Sequence, residues 1–228
     1  IHIGGDEAPK KRWKVCPDCQ RRIEALGLND EEELHGRFVN SVAEYLEKHG
    51  RVAIGWNEVL KSGLIENNLI VQMWMDRKNL SAAFANEGGR LIVSPFYHYY
   101  TDYPYGMTPL DKTYNFNPIL KGITPLSADN VVGVEAPIWT EHVRDFQHLC
   151  YMTYPRFAAV AETGWTKTPN KDSFDFCERM ERFVPQLMKC GMVPAPPDEW
   201  NPGMFERLKQ TLAFFRSTLT LDMIRGYK

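Results

Sequence analysis

Nothing in this chain offers a polyanion a surface to hold. Its 27 Lys and Arg stand against 29 Asp and Glu, leaving a net charge of -2, which argues against nucleic acid or an anionic membrane as a partner. No run approaches the roughly 20 apolar residues of a spanning helix. Five cysteines, an odd number, make no disulfide framework. The close pair Cys16 and Cys19 lacks the two further nearby ligands of a zinc knuckle, because His2 and His35 are distant in sequence. It reads instead as a small turn-forming pair or a disulfide. No G-x-G-x-x-G or P-loop follows an apolar run, which counts against a nucleotide-binding sheet, and no H-x-H or H-E-x-x-H spacing marks a metal-dependent hydrolase. Neither a metal nor a cofactor is expected.

What is present is an ordinary globular composition, 43% hydrophobic and 25% charged over 228 residues, enough for one large domain. Aromatics are generous, with six Trp and ten Tyr. Short apolar runs at 1–4, 51–56, 69–74, 90–95 and 131–139 read as strands covered on both faces. Helical patterns lie between and after them, at 31–49 (Leu34, Phe38, Val42 and Tyr45 in phase), 57–61, 77–87, 151–163, 172–189 and 202–222. Alternating strand and helix predicts an α/β fold with a parallel sheet. Polar residues gather at or just past the C-terminal end of each strand, where a (β/α)8 TIM barrel builds its site. A full barrel needs about 250 residues and eight strands. The chain is therefore expected to hold only the second half of a barrel, about strands 4 to 8, plus C-terminal helices. Residues 1–190 are expected to be the C-terminal part of the catalytic barrel, and 191–228 a helical extension.

Three strand ends pair an indole with an acid: Trp56 before Glu58, Trp74 before Asp76, and Trp139 before Glu141. With Asp6-Glu7 and Tyr100-x-Asp102 they describe an acidic pocket walled with indole. Indole faces stack on the C–H faces of a pyranose, and carboxylates accept hydrogen bonds from sugar hydroxyls. Plainer roles stand beside this one. His2, between isoleucines, reads as a core histidine, and Asp76 as a helix cap. Glu58 reads equally as a sugar ligand or a structural partner. Glu135 reads as a buried acid needing Arg144 or Arg156, and Arg156 and Glu162 as structural. Asp6 and Glu7 read as the chemical pair. Two-carboxylate glycosidases set their groups about 5 Å or more apart across the scissile bond, and sequence neighbours reach that only by diverging. A division of labour is the alternative, in which Glu7 protonates the leaving oxygen and Asp6 orients a nucleophile that the substrate supplies.

The string His2-x-Gly4-Gly5-Asp6-Glu7 resembles the signature of family 20 glycoside hydrolases, the β-N-acetylhexosaminidases. The resemblance continues in order through Gly55-Trp56-Asn57-Glu58, Gln72-Met73-Trp74, Tyr100-Thr101-Asp102, Trp139-Thr140-Glu141, Tyr154-Pro155-Arg156 and Ala161-Glu162. It implies hydrolysis of terminal β-linked N-acetylhexosamine (GlcNAc/GalNAc) from glycans, retaining and substrate-assisted, through an oxazolinium intermediate. By the same resemblance Asp6, Glu7 and Tyr100 are catalytic, while Trp56, Trp74, Asp102, Trp139 and Glu141 bind the sugar. It further implies an extracytosolic location. The upstream barrel strands, the arginine that clamps the sugar's outer hydroxyls and an N-terminal non-catalytic domain are expected to be missing. The alternative is a non-catalytic carbohydrate-binding or structural fragment with the same pocket.

Overall fold

The computed structural model describes the backbone of residues 1–225 and side chains as far as residue 218. The chain divides into two compact units, residues 1–93 with 118–133, and residues 94–117 with 134 onward. The first unit carries a four-stranded sheet in the order β1 (Ala53–Trp56), β2 (Leu69–Met73), β3 (Arg90–Val93) and β4 (Val131–Val134). β1 and β2 run parallel with Ala53 opposite Leu69, as do β2 and β3 with Ile70 opposite Arg90. Leu69, Val71, Leu91 and Val93 are wholly buried, as the unalternating apolar runs predict.

Residues 1–4 differ from the expected strand. They lie parallel to β1 through a single bridge, His2 to Ile54. The Ile3 N–H donates to the Ile54 carbonyl at 2.8 Å, and the Trp56 N–H to the Gly4 carbonyl at 2.9 Å. β4 also stops early, at Val134, ahead of Pro137, which has no N–H to give a ladder.

Three helices precede β1. α1 (Lys11–Val15) and α2 (Pro17–Leu26) are short, and Cys16 occupies the N-cap of α2. Cys16 and Cys19 are free thiols, not a disulfide. α3 (Glu31–Lys48) starts where its sequence places it, with the Asp30 carboxylate accepting the Glu33 N–H at 2.9 Å. Its buried face, however, runs through His35, Val39 and Ala43. Phe38 and Tyr45 are 65% and 61% exposed, so the core-facing stripe is turned by one residue from the apolar spacing. After β2 comes α4 (Leu80–Asn86), which begins later than the pattern suggested. Asp76 performs the capping role expected of it from ahead of the helix, accepting the N–H groups of Lys78, Leu80 and Ser81.

The second unit is helical: α5 (Phe96–Tyr99), α6 (Leu110–Tyr114), α7 (Phe146–Thr153), α8 (Arg156–Trp165), α9 (Ser173–Lys189) and α10 (Met204–Arg225). The expected single helix over 151–163 is two. Tyr154 is extended (φ -105, ψ 129) ahead of Pro155, because proline disfavours helical geometry in its predecessor and lacks the N–H that would continue the ladder. Tyr105, Leu110, Tyr114, Phe176, Met180 and Trp200 form the core. α10 is tied to the loop before α6, where Gly106 donates its N–H to Gln210 at 2.7 Å and accepts from Arg207 at 3.2 Å. Among the described residues no helix is long and apolar enough to cross a membrane.

His98 on α5 titrates with folding. Its ring lies 4.5 Å from Phe116, and its Nδ1 is buried without a hydrogen-bond partner among the described residues. Burial, reinforced by Lys112, holds its pKa down from 6.5 to about 4. The folded state thus keeps the imidazole neutral. Its stabilising contribution is complete above pH 6.5 and drains away as pH falls towards 4, because the unfolded chain takes up the proton first. Urea unfolding at pH 7 and pH 4.5 should show wild type losing on the order of 1–2 kcal/mol more than His98→Gln, a figure reduced for the ring's partial exposure.

Candidate active site

In the first unit the expected chemical pair leaves the flank of β1 on an unusual backbone. Gly4, Gly5 and Glu7 all have positive φ, at 74°, 103° and 46°. Only glycine fits at position 5, because a Cβ there would meet the Val59 side chain at 2.4 Å. Glu7 is exposed and Asp6 half-buried. Asp6 lines a groove of about 420 Å³ with Ile3, Trp13, His35 and Val39. The backbone N–H of Glu7 donates to the Glu58 carboxylate, whose other oxygen takes Lys61 Nζ at 3.0 Å. Burial pushes the Glu58 carboxyl up, but the Glu7 N–H and Lys61 outweigh it and hold the group below the ordinary carboxylate range. Of its two readings, the structure supports the structural partner.

Trp56 is buried at the end of β1, its ring 4.8 Å from that of His2. His2 is exposed, and its Nδ1 accepts the Gly4 N–H at 3.1 Å. In this chain residues 1–4 border β1, and the His2 ring rests against Trp56. Trp74, at the end of β2, is half-buried. Its N–H donates to Asn57 Oδ1 at 3.1 Å, and Asn57 Nδ2 donates to the Met75 carbonyl at 3.0 Å. Asn57 thus ties the ends of β1 and β2 together.

In the second unit Tyr100 ends α5, buried, with its ring 6.0 Å from that of Trp139. Trp139 is 48% exposed. The two segments are joined by the Thr101 N–H on the Pro137 carbonyl at 3.2 Å. Asp102 is 4% exposed, and one of its oxygens is buried without a partner among the described residues. Burial raises its carboxyl above the ordinary range, against the pull of its own N–H, His142 and Arg156. Glu141 is exposed on a turn whose preceding residue, Thr140, has φ 63°.

Arg156 has the structural role expected of it. Arg156 is wholly buried, with its guanidinium 4.1 Å from the Tyr105 ring. It donates to the carbonyls of Thr101 (2.6 Å), Tyr103 (2.7 Å), Thr108 (3.1 Å) and Met152 (3.0 Å). Two of these flank Asp102, so one cation fixes the chain on both sides of it. Glu135, expected as a buried acid, is exposed just beyond β4. Glu162 accepts the Tyr114 hydroxyl at 2.7 Å and Arg179 at 2.8 Å, a structural role as expected. Among the described residues no group of three or more His, Cys, Asp or Glu is placed to hold a metal ion.

Residues 1–168 match the catalytic domain of glycosyl hydrolase family 20. The chain belongs to this family. A β-hexosaminidase of Porphyromonas gingivalis is 35% identical over 215 residues, which is 89% of this chain and 27% of that protein. A β-N-acetylhexosaminidase of Cellulomonas fimi is 29% identical over 89% of this chain and 40% of its own length. The chain thus spans well under half the length of these curated relatives. Among solved structures, the family 20 exo-β-N-acetylglucosaminidase of Vibrio harveyi in complex with N-acetylglucosamine superposes with a TM-score of 0.76 at 26% identity, over 86% of this chain and 33% of that one. The parallel sheet and its helices are therefore part of the family 20 (β/α)8 barrel.

If Arg156 holds the turn that follows α5, Arg156→Met should strand buried carbonyls on both sides of Asp102. The expected loss is roughly 3–5 kcal/mol of stability, read by denaturant unfolding. Arg156→Lys should recover only part of it, because an ammonium cannot span the same set of acceptors.

Proposed function

We propose that the protein to which this chain belongs removes terminal β-linked N-acetylhexosamine from glycans, and that this chain supplies the proton donor. The observation that carries the reading is the Asp6-Glu7 pair at the end of the β1 flank, inside a family 20 match over residues 1–168. One acid is exposed while its neighbour is half-buried, an asymmetry that suits unequal jobs. The roles of individual residues follow the resemblance to the family.

In the first step Glu7 gives its proton to the glycosidic oxygen as the C–O bond breaks. The substrate's 2-acetamido oxygen attacks the anomeric carbon and forms the oxazolinium ion, so no side chain becomes covalently attached. Asp6 accepts the acetamido N–H and offsets the positive charge. Tyr100 donates its hydroxyl to the acetamido oxygen. In the second step the Glu7 carboxylate takes a proton from water as the water opens the ring, giving net retention. Trp56, Trp74 and Trp139 provide apolar faces, and Asp102 and Glu141 accept sugar hydroxyls. A carboxylate with a buried oxygen that has no partner among the described residues, as in Asp102, is chemically suited to that task. The family resemblance also supports an extracytosolic site of action.

The test is turnover of a chromogenic N-acetyl-β-glucosaminide by the full-length protein. Glu7→Gln should lower kcat/KM about 10²–10⁴-fold. The corresponding β-glucoside, lacking the acetamido group, should not be turned over. Absence of turnover by the full-length protein would favour the binding-fragment reading, and efficient cleavage of the glucoside would exclude substrate assistance.

A further inference from the structure

We infer that Glu58 is a positioning residue for the proton donor: by accepting the Glu7 N–H it holds the left-handed backbone turn from which Glu7 is presented. The inference rests on the reading of Glu7 as the general acid.

The Glu7 backbone, at φ 46°, is in a region that a residue with a Cβ enters only where its surroundings over-determine it. The preceding segment cannot supply that constraint alone, since Gly4 and Gly5 are the residues with the most freedom. What supplies it comes from 51 residues away. The Glu58 carboxylate accepts the Glu7 N–H directly. Glu58 is itself fixed, in the first turn of the 3₁₀ segment Asn57–Ser62, with Lys61 one turn on at 3.0 Å. That segment also carries Val59, against which Gly5 packs with no room for a Cβ. Two side chains of the same short turn, those of Glu58 and Val59, therefore grip both Glu7 and Gly5. The lowered pKa of Glu58 keeps its carboxylate ionised, making the bond to Glu7 charge-assisted. Proton donation depends steeply on the position of the donor, so this grip is placed to matter for rate as well as fold.

The experiment compares two aryl N-acetyl-β-glucosaminides on the full-length protein. The methylumbelliferyl leaving group needs a proton, and the dinitrophenyl one departs without it. Glu58→Ala should lower kcat/KM for the first about 10–100-fold and for the second by less than about threefold. Glu58→Gln, which keeps an oxygen acceptor for the Glu7 N–H, should restore most of the loss. If Glu58→Ala does not fold, Glu58→Asp withdraws the acceptor by one methylene and should give the same leaving-group pattern with a smaller loss. Equal losses on both substrates, or none on either, would overturn the inference. Glu7→Gln run alongside separates the two layers. If it shows no leaving-group dependence, the reading of Glu7 falls and this inference with it. If it shows the dependence and the Glu58 variants do not, this inference alone is wrong.

Discussion

Where a parallel strand ends, its backbone keeps hydrogen-bonding groups that the ladder no longer satisfies, and burying them unpaired is costly. In a fold that places its chemistry at strand ends, this is a constraint on every functional residue. Here side chains satisfy such groups at three places. Glu58 accepts the Glu7 N–H. Asn57 accepts from Trp74 and donates to Met75. Arg156 collects the carbonyls of Thr101 and Tyr103 on either side of Asp102. The partners are an acid, an amide and a cation, each matched to the backbone groups left over beside it. None of these three is needed to touch a sugar, yet each sets where a candidate sugar-facing residue begins.

The same constraint accounts for the uneven distribution of strain. Described residues other than glycine with positive φ are Glu7, Asn79 and Thr140. Two of the three adjoin or belong to the expected site, as strained backbone tends to. At Glu7 the strain is held by a charged acceptor and a close-packed glycine. Strain there without the Glu58 bond would relax towards an ordinary turn and carry the carboxyl with it. Arg156 works on the opposite problem. Its carbonyl set holds a segment that includes Pro104 and Gly106 and carries Asp102 in a buried setting. A charge buried at this depth is stabilised only by multiple hydrogen bonds, and the guanidinium has donors for several acceptors at once.

Much of the architecture was legible because its signals are local. Unalternating apolar runs mark the buried strands β1 to β3, Asn29 or Asp30 and then Gly50 mark the ends of α3, and Asp76 reads as a helix cap. What was not legible depended on neighbours. Isoleucines flank His2 in the sequence, but its ring contact, Trp56, comes from the end of β1. Phe38 and Tyr45 sit at helical spacing, and spacing alone says that a stripe exists without saying which edge of it is covered. The break at Tyr154-Pro155 was a local signal outweighed by the apolar pattern running across it. Arg156 offered a fainter clue, a single cation at the start of the otherwise apolar stretch RFAAVA, and only the carbonyls it collects reveal its work. The pair Asp6-Glu7 and the indole-walled pocket stand out from residue chemistry, whereas the individual roles of Tyr100 and Asp102 come from resemblance.

The signature strings themselves take on a physical meaning. His2 lies against Trp56, Gly5 packs on Val59, the Gly4 carbonyl takes the Trp56 N–H, and Glu7 donates to Glu58. Residues 2–7 and 55–59, half a hundred positions apart, are thus one object built from two strings. A change in either string has its partner in the other, so Gly5 cannot gain a side chain unless Val59 yields, and Glu58 cannot shorten without releasing Glu7. A family signature of this kind is wider than its chemistry. Of the letters in HxGGDE and GWNE, the proposed mechanism uses Asp6, Glu7 and Trp56, while His2 rests on Trp56, Gly5 packs on Val59, Glu58 accepts the Glu7 N–H and Asn57 ties in Trp74.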